Sequence, residues 1–89
     1  MVRNAAMPSF LRPSQCRAAR GLLDWTQEHL ADRAGLSRST VRDFESGRHE
    51  LNRASSVLIV ATLAEAGVIL IGADDLGPGV RLRDRAGAT

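Results

Sequence analysis

Eighty-nine residues suit one domain with a modest core. Two Phe, one Trp and no Tyr leave that core to Leu, Val, Ile and Ala. The fixed positive charges are twelve Arg and no Lys against ten Asp plus Glu, and a net charge of +2 excludes a uniformly basic chain, so the placement of the charges matters more than their sum.

A single cysteine, Cys16, excludes an internal disulfide and forms no zinc pattern. On the inner face of a helix it reads as a small core residue. His29 and His49 lie too far apart, with too few other ligand types in register, to suggest a metal site. No Ser/His/Asp or Cys/His constellation and no phosphate loop stands at usable spacing, so an enzyme is not expected. Gly77-Pro78-Gly79 lacks the spacing of a nucleotide loop. No cofactor is expected either. The longest apolar runs are far below membrane-spanning length, and the first thirteen residues carry Arg3, Pro8, Arg12 and Pro13 rather than an apolar leader. The expectation is a cytoplasmic protein with no membrane partner.

In chain order, residues 1–12 read as a disordered lead-in, with Phe10 and Leu11 able to staple onto the first helix. Pro13 or Ser14 opens that helix, and Cys16, Ala19, Leu22 and Leu23 are its expected buried face. It ends near Asp24-Trp25, with Trp25 over one end of the core. Thr26 is the N-cap of a second helix; His29 stands where a capping box would want Glu or Gln, so the box is incomplete. Leu30, Ala31 and Ala34 face inward, and Gly35 supplies the left-handed stop. Ser37 caps a third helix, with Val41, Phe44 and Glu45 on one side and Arg38, Ser39, Arg42 and Asp43 on the other. Gly47 closes it.

Asn52 caps a fourth helix over residues 53–66, apolar from 57 to 64 except at Thr62. A helix so apolar all round is expected to be covered on more than one side. Gly67 stops it. Val68-Ile69-Leu70-Ile71 reads as a strand with both faces covered, residues 72–79 as a turn, and Val80-Arg81-Leu82-Arg83 as a half-exposed strand. The organisation is therefore a helix-turn-helix domain at 13–66, a β-hairpin at 67–84 that would serve dimerisation, and a tail at 85–89.

Residues 27–47 carry the chemistry. On them the chain resembles the lambda-repressor-like helix-turn-helix family, the XRE-type regulators. The matches are Gln27 opening the second helix, Ala31 and Gly35 at the turn, and Glu45 with Gly47 closing the third. The resemblance covers about residues 14–66, and the ending is similar to a short bacterial form with a hairpin in place of a fifth helix. It implies a mainly α fold: a lambda-repressor-like four-helix DNA-binding domain with a C-terminal β-hairpin.

It also implies roles. Gln27 would touch a phosphate. Ser37, Arg38 and Ser39 would sit nearest the base edges, and Arg42 and Arg48 nearer the sugar-phosphate backbone. Arg20 and Glu45 would form a structural salt bridge. Arg38 can offer its two parallel donors to guanine O6 and N7. Asp43 is discordant beside phosphates: it accepts from cytosine N4, or it pairs with Arg42 or Arg38 and orients them. The expected function is a sequence-specific double-stranded DNA-binding transcriptional regulator, a repressor acting by promoter occupancy. The alternative is an antitoxin or interaction module with a toxin or other protein partner. A homodimer is expected, burying the spare apolar face of the fourth helix and the first strand.

Overall fold

The computed structural model describes residues 11–72 and 76–83. Four helices come first: α1 (Pro13–Leu23), α2 (Gln27–Ala34), α3 (Arg38–Glu45) and α4 (Arg53–Glu65). Two strands complete the order, β1 (Val68–Ile71) and β2 (Gly79–Leu82). Phe10, the turn residues 73–75 and the tail from 84 lie outside the described residues, as does most of the expected lead-in.

The helix boundaries reflect local chemistry. Thr26, Ser37 and Asn52 are extended N-caps whose side-chain oxygens accept from the backbone N–H of His29, Thr40 and Ser55. Each satisfies one of the donors a helix leaves unpaired at its start. α2 ends at Gly35, in the left-handed region at φ +76°, where a side chain would be strained. Asp24 ends α1 in the same region at φ +57°, and the backbone N–H of Trp25 closes that turn on Arg20 O.

The core gathers Cys16, Ala19, Leu30, Ala31, Ala34, Val41, Phe44, Ile59, Leu63 and Val68 from all four helices and β1, with Leu11 from the segment ahead of α1. Leu30, Val41, Ile59 and Leu63 are fully buried, and each contributes about 1.5–3 kcal/mol of transfer free energy. Ala31 is buried between α2 and its neighbours, where its small side chain permits close approach. Trp25 covers one edge of the core as expected.

The hairpin is antiparallel, with Val68 opposite Leu82, Leu70 opposite Val80 and Ile71 opposite Gly79. β2 packs on α1 and β1 on α4. The second strand starts at Gly79, one residue earlier than its alternating pattern suggests, because Gly79 pairs with Ile71. Gln15 ties the hairpin down. Its Oε1 accepts the Arg12 N–H at 3.0 Å, and its Nε2 donates to Ile71 O and Gly79 O at 2.9 and 3.0 Å. One buried amide thus anchors both strands at the turn end of the ladder.

Three expectations need correction. Leu22 is 42% exposed, because the inward stripe of α1 runs through Gln15, Cys16, Ala19 and Leu23 and Leu22 stands about 100° round from Leu23. Within the chain α4 is covered on one side only: Ser56, Ile59, Thr62 and Leu63 are buried, while Val57 and Leu58 are each 44% exposed. The polar Thr62 thus faces in while apolar neighbours face out. β1 is likewise covered on one face, with Val68 and Leu70 against the core and Ile69 and Ile71 half-buried on the other.

Candidate nucleic-acid interface

α3 divides cleanly. Val41, Phe44 and Glu45 are buried, and Arg38, Ser39 and Arg42 are exposed on the other side. What holds α3 at its angle is Glu45. Its Oε1 accepts from Arg20 Nη2 at 2.8 Å and from Gln27 Nε2 at 3.0 Å. Its Oε2 accepts from Arg20 Nε at 2.8 Å and from Cys16 Sγ at 3.0 Å. Arg20 also donates through Nη1 to Trp25 O at 2.9 Å, so one guanidinium joins α1, the α1–α2 turn and the end of α3.

Burial alone would push the Glu45 carboxyl up. The hydrogen bonds from Arg20, Gln27 and Cys16, with the Arg20 charge, outweigh it and hold the group below its usual range. Arg20 is raised in turn by its hydrogen bond to Glu45. Burial, reinforced by the hydrogen bond to Glu45, pushes the Cys16 thiol far up and keeps it protonated as a donor.

The residues expected to bind DNA differ in their surroundings. Gln27 opens α2, half-buried, and gives one of its two amide donors to Glu45. Ser37 is the α3 cap, and its hydroxyl lies 3.1 Å from Ser39 Oγ and 2.8 Å from Thr40 Oγ1. Thr40, not among the residues expected from sequence, completes this small hydroxyl cluster; its spacing of three from a Ser cap is the signal that could have found it. Arg38 is exposed and has no protein partner among the described residues. Arg42 donates through Nε to Asp43 Oδ1 at 3.2 Å. Asp43 is half-buried in a polar hollow shared with Ser39, Thr40, Asn52 and Ser55. Arg48 lies just beyond α3, exposed, its backbone N–H bonded to Asp43 O at 2.9 Å. Arg38, Ser39 and Arg42 therefore share the outward face of α3, with Arg48 just past its end and Gln27 at the adjoining helix start.

A family model described as Helix-turn-helix matches residues 17–65, more than half of the chain. The chain belongs to this helix-turn-helix family. The family is DNA-binding, of the XRE type, and the match spans α2, α3, α4 and α1 from Arg17 onward. No curated protein matches the chain. In a helix-turn-helix domain the second helix of the motif enters the major groove, and here that helix is α3. Among the described residues no helix is long and apolar enough to cross a membrane.

Proposed function

We propose that this helix-turn-helix protein is a sequence-specific regulator of transcription that acts as a repressor by occupying promoter DNA. One observation carries the reading: α3 presents Arg38, Ser39 and Arg42 outward while Glu45, at its buried end, is bound by three side chains from α1 and α2. A recognition helix needs this combination of a polar, cationic outer face and a fixed inner one. Arg38 at the start of α3 reads a guanine edge. Ser37 and Ser39 sit beside it, Gln27, Arg42 and Arg48 take phosphates, and Asp43 orients Arg42. Selection of duplexes from a random pool, with footprinting of the selected duplex at fixed salt, tests this. Enrichment of one motif is the expected result, and binding to every duplex alike would overturn it.

The protein acts as a homodimer. Support comes from the outward side of α4, where Ala54, Val57, Leu58, Ala61 and Ala64 form an uncharged exposed stripe at helical spacing. Two-fold symmetry of such a dimer would set its two recognition helices about one DNA turn, roughly 34 Å, apart. The same stripe favours a second reading, an antitoxin or interaction module whose α4 is covered by another protein. A toxin-like neighbour that forms a stable complex with the purified chain and protects Val57 and Leu58 would favour it. Light scattering that gives the dimer mass for the chain alone favours the first.

A further inference from the structure

The last turn of α3 leaves four carbonyls without partners inside the helix, and each finds one. Arg42 O accepts from the Ser46 N–H at 3.0 Å, and Phe44 O from the Gly47 N–H at 3.0 Å. Asp43 O accepts from the Arg48 and His49 N–H groups at 2.9 and 3.2 Å. Glu45 O accepts from the Arg17 guanidinium, through Nη1. This last partner comes from α1 and lies outside the turn altogether. It is also a cation at the negative end of the α3 dipole.

We propose that Arg17 is a positioning residue for the recognition helix, pinning the end of α3 through the backbone while Arg20 pins it through the carboxylate. The inference rests on the proposed DNA-binding role of α3. Two attachments on one residue, at the side chain and at the main chain, fix both the roll and the tilt of α3. One attachment alone leaves a pivot. Arg17 is exposed and lies outside the core, so its loss releases the pivot without opening the fold. A tilt at the end of α3 moves Arg38 and Ser39 relative to the base edges, whereas phosphate contacts by flexible arginines tolerate it. Arg17 therefore acts on sequence discrimination rather than on overall attraction to DNA.

The test compares the full chain with its Arg17→Met and Arg17→Lys variants. The probes are the duplex selected from a random pool by the wild-type chain and a random-sequence duplex, over a range of salt. Arg17→Met should bind the selected duplex roughly tenfold more weakly, the scale of one charge-assisted hydrogen bond, with random-duplex binding and the salt slope unchanged. Amide exchange at residues 46–49 should quicken in the same variant. Arg17→Lys, which keeps a cationic donor, should recover part of the discrimination. A different outcome would mean that Arg17 touches phosphate directly: equal losses on both duplexes and a salt slope reduced by about one. That result, or no change in discrimination, overturns the inference while leaving DNA binding intact. A wild-type chain that selects no motif overturns the inference together with the reading beneath it.

Discussion

The Glu45 carboxylate offers four acceptor positions, and Arg20, Gln27 and Cys16 fill all four. At 2% exposure this charge is tolerable only because every lone pair is used. Arg20→Met leaves the carboxylate buried and short of its main partner, and a denaturant titration should register a loss of about 3–5 kcal/mol. The direction of the shift sets the pH dependence. Glu45 is lowered in the folded chain, so its contribution is complete above the ordinary value of 4.5 and is lost as pH falls through the lower folded value. Thermal melts taken into the acid range should fall steeply for the wild-type chain and less steeply for Arg20→Met, where burial is no longer outweighed. Cys16, fully buried and held as a thiol, should react with alkylating reagents only at the rate of global unfolding. Labelling much faster than unfolding would show that the hub opens locally.

At the scale of elements, stops and caps carry the architecture. Gly35 stands at φ +76° with open space around the position of an added Cβ, so Gly35→Ala costs only the backbone strain, about 1–2 kcal/mol in a denaturant titration. Such features were legible in the sequence because they are local: Thr26, Ser37 and Asn52 before apolar runs, Gly35 and Gly67 after them. The two faces of α3 were legible for the same reason, since spacing alone separates Val41 and Phe44 from Arg38 and Arg42. Gln15 was not. Its partners, Ile71 O and Gly79 O, lie more than fifty residues away, and nothing in the sequence around a Gln near a helix start announces them. Arg17 was equally illegible, because its acceptor is a backbone carbonyl that any residue would supply. The one-sided cover of α4 was hidden by an apolar run without period, in which Thr62 faces in and Leu58 faces out. That outward stripe makes its own prediction. If the chain pairs through it as proposed, Leu58→Glu should lower the mass measured by light scattering from dimer to monomer with little change in helix content. A variant that stays dimeric would place the interface elsewhere, and one that unfolds would show that the stripe supports the protomer itself.

For the whole molecule, a net charge of only +2 means that attraction to DNA must come from a local concentration of arginines. Arg38 and Arg42 share the outward face of α3, but the structure gives them different surroundings. Arg38 has no protein partner among the described residues, whereas Arg42 is held by Asp43 at 3.2 Å. If Arg38 reads a base and Arg42 a phosphate, their single substitutions separate. Arg38→Ala should relax discrimination at one position of the selected duplex by about 1–3 kcal/mol and leave the salt slope nearly unchanged. Arg42→Ala should weaken selected and random duplexes alike and reduce the slope by about one. The double variant should show both effects and melt at the wild-type temperature, since both side chains lie outside the core. A marked drop in its melting temperature would assign the pair a structural role instead. Asp43→Ala completes the set. It frees Arg42 from its partner and removes a negative charge near the DNA, so affinity for random duplexes should rise while preference for the selected one narrows. Were Asp43 instead a reader of cytosine N4, preference would be lost at one defined base pair and hold elsewhere.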